Sequence, residues 1–233
     1  MDYLFTAESV GVSFRGVQVL KSASMWASQG MVTSLLGRNG SGKTTLFRAS
    51  VGHVSRDFGT VHFQGQSHRK PRLPTLAQMG LFFLPPSGIL SRRRPLRWHL
   101  AMIRERYRHE VRKDLPAELE ADPLLDKSDW EMSGGEARRA EIALAWTRRP
   151  VCLLADEPLA GLAPMDQDRV AGVIRQMADE GCAVVISGHD ARRLLDLSDQ
   201  VIWLAAGTTH GLGTPDAARD HDQFRREYLG PGV

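Results

Sequence analysis

The segment Gly37-Arg38-Asn39-Gly40-Ser41-Gly42-Lys43-Thr44 restricts the possible folds more than any other part of the chain. It follows the apolar run Met31–Leu36, which reads as a buried strand, and precedes Thr45–Val51, which reads as a helix. A strand that turns through glycines straight into a helix belongs in a parallel sheet covered by helices. Such glycines let the backbone turn its N–H groups inward, and the helix adds its positive end, so the concavity suits phosphate oxygens. The candidate phosphate-binding residues are Gly37, Asn39, Gly40, Ser41, Gly42, Lys43, Thr44 and Thr45. Lys43 is placed to reach the β- and γ-phosphates of a nucleoside triphosphate, and the Thr44 hydroxyl to hold Mg²⁺.

Two further apolar runs, Val151–Ala155 and Ala183–Ser187, read as buried strands of the same sheet. The first delivers Asp156 at its carboxyl end, where open parallel sheets bind ligands, and Asp156 is the expected partner of the Mg²⁺. Glu157 points to the other side of the chain and can take a proton from the attacking water as general base.

Composition limits what else the chain can be. At 233 residues, with 42% hydrophobic and 24% charged, it has enough material for one large domain with a buried core. The longer uncharged stretches, such as Met79–Leu90 with its two prolines, fall short of the ~20 apolar residues of a spanning helix. Met1–Phe5 carries no basic region ahead of an apolar one, so the expected location is cytoplasmic. Cys152 and Cys182 sit inside apolar runs and read as reduced core thiols. The net charge of +3 selects no partner, but its distribution is uneven. Ser91–Lys113 holds nine Arg and Lys against two Glu, and Asp114–Glu136 eight acids against one Lys, which marks a separate subdomain. Leu96, Leu100, Ile103, Tyr107 and Val111 fall on one stripe of a predicted helix. No internal repeat is present.

Met132-Ser133-Gly134-Gly135-Glu136 completes a set of motifs by which the chain resembles the ATP-binding cassette (ABC) ATPases over nearly its whole length. The resemblance implies a phosphate-loop core (1–84 and 150–233) with an N-terminal antiparallel β-subdomain, and a small helical subdomain with the signature helix within 85–149. Ser133 is also suited to cap the helix Glu136–Thr147, whose open N–H groups, with Gly134 and Gly135, can grip a γ-phosphate. In the family this serine faces the nucleotide held by a second subunit, so the resemblance implies two cassettes, identical or not, sandwiching two ATP molecules. His189 matches the family's switch histidine, a catalytic partner of Glu157, and Phe14 matches the aromatic that stacks on adenine. Within the family the chain is similar to the short cassettes of branched-chain amino-acid importers and of lipopolysaccharide export. That likeness rests on Ser133–Ala143, Leu159-Ala160-Gly161-Leu162 and the ending Arg225-Arg226-Glu227-Tyr228-Leu229-Gly230. It implies an integral membrane permease as partner and a peripheral place on the inner face of the membrane.

Two positions depart from the family pattern. Pro86 stands where a glutamine normally touches Mg²⁺ and water, and Ala163 where an aspartate normally crosses between subunits. Proline supplies neither a polar side-chain atom nor an N–H, and it stiffens a segment expected to hinge. Neither change removes Lys43, Asp156, Glu157 or His189, so a motor that hydrolyses ATP is expected, with a non-transport or degenerate cassette that binds ATP as a regulatory clamp with slow or no turnover as the alternative. The arginine-rich segment reads as a solvated helix face, as a contact for the permease or anionic headgroups, or as a nucleic-acid surface. Trp98 and Tyr107 are too few aromatics for a base-stacking platform, so nucleic acid is the least favoured partner.

Overall fold

A computed structural model describes residues 3–108 and 111–230. Met1-Asp2, read above for an export signal, and His109-Glu110 of the basic segment lie outside the described residues. The strands are β1 (Phe5–Phe14), β2 (Val17–Ala27), β3 (Val32–Leu36), β4 (Phe58–Phe63), β5 (Gln66–His68), β6 (Leu81–Leu84), β7 (Cys152–Ala155), β8 (Ala183–Gly188), β9 (Gln200–Ala205) and β10 (Thr208–Gly213). They form one sheet in the order β5-β4-β1-β2-β10-β9-β3-β8-β7-β6. Strands β9, β3, β8, β7 and β6 run parallel, whereas β1, β2, β4 and β5 pair antiparallel. The expected mixed α/β architecture with an antiparallel N-terminal part is thus present. The two parts meet at β10, antiparallel to β9 and joined to β2 by the single pair Thr208↔Ser22.

Alternation along the central strands assigns each residue to a face. Leu36, Leu153 and Val184 enter a core beneath the helices α4 (Gly134–Arg148), α5 (Pro164–Asp179) and α6 (Ala191–Leu197). Their neighbours Leu35, Leu154 and Val185 enter a second core with α1 (Lys43–Ser50), α2 (Leu73–Gln78) and the antiparallel strands. Burial on both faces is why these runs read as unbroken apolar stretches. A third cluster, Leu96, Leu100, Leu124, Ala140 and Leu144, packs α3 (Leu96–Arg106) against α4.

The helix α3 is shorter than its stripe predicts. It ends at Arg106, and Val111 lies beyond it. Tyr107, the C-cap, places its ring centroid 3.7 Å from the guanidinium carbon of Arg148, a cation–π contact made at the point where the helix ends. The basic and acidic runs meet in space where Arg97 pairs with Asp126, and within the acidic run Lys127 pairs with Glu136 at 2.7 Å. Among the described residues no helix is long and apolar enough to cross a membrane.

Candidate active site

The phosphate loop is shaped by close approach as much as by chain freedom. A Cβ on Gly37 would lie 2.6 Å from the Leu204 carbonyl oxygen and 2.7 Å from Ser41 Oγ, so the position admits no side chain. Gly42 has φ +106°, a value closed to other residues, and a Cβ there would strike Leu20 of β2 at 2.7 Å. Lys43 opens α1 with only 4% of its surface exposed. Its Nζ donates to the carbonyls of Gly37 at 2.7 Å and Arg38 at 3.3 Å, folding the side chain back over the loop. Burial lowers the pKa of this ammonium, and the charges of Glu157 and Asp156 oppose the shift. Asn39 and Gly40 are exposed at the tip, while Thr44 and Thr45 are half-buried in the first helical turn.

Asp156 is fully buried at the end of β7. Its Oδ1 accepts from Ser187 Oγ at 2.6 Å. Burial raises the carboxyl pKa, and hydrogen bonds from Ser187 and from the Thr44 hydroxyl pull it back. The other oxygen, Oδ2, is buried without a hydrogen-bond partner, as is the Ser41 hydroxyl in the loop. A buried carboxylate oxygen left open next to a threonine hydroxyl is a hard oxygen donor set of the kind Mg²⁺ takes, so the residues fit the cation the sequence implies. Glu157 adopts φ +54°, a left-handed backbone rare for a residue with a side chain. Its N–H donates to the same Ser187 Oγ at 3.0 Å, so one hydroxyl joins the Asp156 carboxylate to the Glu157 backbone. Ser187 was absent from the sequence-derived set. The available signal was a hydroxyl ending an otherwise apolar buried strand.

His189 follows β8 and is exposed. It lines a cavity of ≈ 220 Å³ with Ser187, Gly161, Gln167 and Arg193. Gln167 Nε2 donates to the carbonyls of Leu159 at 3.3 Å and Leu162 at 3.1 Å, fixing the turn before α5. Phe14 is 46% exposed at the end of β1. Its hairpin partner strand β2 carries Leu20 to the phosphate loop, so both lie on one arm of the antiparallel part.

The signature segment stands apart. Ser133 and Gly134 are exposed, and Ser133 Oγ accepts from the Glu136 N–H at 3.2 Å while its own N–H donates to Glu136 Oε2 at 2.8 Å, a complete capping box. Hydrogen bonds, from Lys127 foremost, hold the Glu136 carboxyl down at a pKa of about 2. A Cβ on Gly135 would fall 2.3 Å from Asp166 Oδ2, which ties the cap to the start of α5. Among the described residues no hydrogen bond or ion pair joins Ser133, Gly134 or Gly135 to Lys43, Asp156 or Glu157.

Pro86 is held by its backbone. Arg138 of α4 reaches the carbonyls of Pro85 at 3.4 Å and Pro86 at 3.2 Å. Its ion-pair partner Glu141, 3.0 Å away, accepts from the Ile89 N–H at 2.5 Å. Both side chains are buried, so the turn 85–89 is clasped to the signature helix. Neither residue was singled out from the sequence for this contact. Ala163 is the N-cap of α5 and makes no side-chain cap bond.

A glycine loop that buries its lysine, two acids at the end of the neighbouring β7, and a capped signature helix define an ATP-binding cassette ATPase. The chain belongs to the ABC transporter family, whose model matches residues 20–160, and it is an ATPase cassette of a transporter. It is 31% identical to the lipopolysaccharide export system ATP-binding protein LptB of Haemophilus influenzae, covering 97% of both chains. It is 32% identical to LptB of Escherichia coli K12, over 97% of this chain and 96% of that one. Among solved structures, the ATP binding subunit of an ABC transporter superposes with a TM-score of 0.82 at 22% identity, over 97% of this chain and 96% of that one. A nucleotide-free ATP-binding cassette also reaches 0.82, at 20% identity, over 99% of this chain and 100% of that one. These two likenesses bear on the fold alone.

Proposed function

We propose that this chain is the nucleotide-binding subunit that hydrolyses ATP for a separate integral membrane permease, two cassettes closing head to tail around two ATP molecules. The observation that carries the reading is the convergence of Lys43, Asp156 and Glu157 through Ser187 and the loop carbonyls. The cassette is taken as one unit over 1–233, with the core in 1–84 and 150–233 and the helical and signature region in 85–149. LptB relatives named for lipopolysaccharide export support the transport role and the peripheral place on the inner face of the membrane.

Lys43 turns from the Gly37 and Arg38 carbonyls to the β- and γ-phosphates, and the N–H groups of Gly40 to Thr45 surround them. Thr44 and Asp156 would hold Mg²⁺, which would supply Lewis-acid neutralisation of phosphate charge. Glu157 takes the proton of the attacking water, and His189 at the cavity mouth contacts the γ-phosphate. Phe14 stacks on adenine. The exposed Ser133, with Gly134 and Gly135, meets the ATP of the second cassette, identical or not, and closes the site.

Replacing Glu157 by Gln is expected to lower ATP turnover of the purified protein by at least ~10² while leaving ATP affinity in equilibrium titration unchanged. An unaffected rate would place the base elsewhere. The backbone clasp at Pro86 favours one second reading, a slow cassette that binds ATP as a regulatory clamp. Turnover that stays slow after addition of detergent-solubilised permease would favour it.

A further inference from the structure

The chain ending folds back onto the phosphate loop. His221 Nδ1 accepts from the Phe224 N–H at 3.2 Å and starts a short helical turn, Asp222–Phe224, which runs into Arg225–Leu229. Gly230, at φ +79°, closes that turn with its N–H on the Arg225 carbonyl at 2.9 Å. Phe224 is fully buried, edge-on to Trp203 of β9 at 5.6 Å and stacked on Tyr228 at 5.2 Å. This aromatic stack anchors the tail to the strand beside β3.

Two contacts then join the tail to the loop. Arg38 Nη2 donates to the Glu227 carbonyl at 2.7 Å. The Tyr228 hydroxyl is buried with no partner in full bonding geometry, beside the Gly37 amide. Burial raises its pKa, the Gly37 N–H draws it down, and the charges of Asp190 and Glu157 add to the rise, so the oxygen lies within electrostatic reach of the acids at the site. In the present conformation Lys43 Nζ steadies the Gly37 and Arg38 carbonyls. When Lys43 turns to phosphate, those carbonyls lose their donor, and the Arg38–Glu227 bond and the Gly37 N–H facing Tyr228 are what still tie the start of the loop to the tail.

We propose that Tyr228 is a positioning residue for nucleotide binding: anchored by Phe224 and aided by the Arg38–Glu227 contact, its hydroxyl oxygen faces the Gly37 N–H as acceptor and steadies the start of the loop when Lys43 leaves the Gly37 and Arg38 carbonyls. The proposal rests on the phosphate-loop reading above and assigns a role to an ending that reading leaves unused.

The test measures the ATP dissociation constant by equilibrium titration, together with kcat, KM and thermal unfolding, for the full chain and for Tyr228→Phe, Tyr228→Ala and Lys43→Ala. The Phe variant keeps the stack and loses only the hydroxyl. Its ATP affinity is expected to fall about three- to tenfold, the range of one hydrogen bond, with KM raised, kcat nearly unchanged and the unfolding temperature as in the parent. The Ala variant is expected to lose more, and if it fails to fold the Phe variant decides. A Phe variant that binds ATP like the parent overturns the proposal, whether or not its unfolding temperature drops. If Lys43→Ala also binds ATP like the parent, the phosphate-loop reading itself has failed, which is a distinct result.

Discussion

The region that grips phosphate and the region around Pro86 and Ala163 are built from different materials. At the first, a buried ammonium, two acids and a bridging serine hydroxyl converge, so side chains hold the geometry. At the second, the side chains are proline and alanine, and backbone carbonyls clasped by Arg138 take over. Polar side chains can change partner when a ligand arrives, as is proposed for Lys43. A turn held through its backbone carbonyls is coupled to the helix that clasps it. The turn 85–89 is thereby linked to α4, and through Leu84, whose carbonyl accepts from the Asp156 N–H at 2.8 Å, to the end of β7.

The largest expected effect comes from opening that clasp. Glu141→Ala leaves Arg138 buried without its ion-pair partner and should lower stability by about 3–5 kcal/mol in urea denaturation, with ATP affinity of the folded protein retained. If affinity falls together with stability, the two regions are not separable. A smaller effect of opposite sign is expected at the start of α5, where Ala163 offers no side-chain cap. Ala163→Asp supplies an N-cap to α5 and should add about 1 kcal/mol in the same assay. No gain would mean that Pro164 and Asp166 already satisfy the first turn.

The smallest effect concerns the signature cap. Glu136 has a folded pKa of about 2 against an ordinary 4.5, so its contribution to stability is full above pH 4.5 and lost as pH falls through 2. Glu136→Gln should flatten the pH dependence of the denaturation midpoint across that window. A parallel slope in the two proteins would show that the capping box contributes little.

Much of this was legible in the sequence because it is local. The strand, glycine turn and helix around Lys43 are contiguous, and Asp156-Glu157 close an apolar run. Ser187 was hidden because its partnership with both acids depends on β7 lying beside β8 in the register Ala155↔Ile186. The Arg138–Glu141 clasp was hidden for the same reason, since it joins positions more than fifty residues apart. Periodicity overran the end of α3 because a stripe says where a face could continue, not where the helix ends, here at the Tyr107 ring on Arg148.

The left-handed backbone at Glu157 sets two demands on one residue against each other. An L-amino acid in that conformation costs about 1 kcal/mol or more that a glycine would not. The backbone there would rest more easily without the carboxylate proposed as the base.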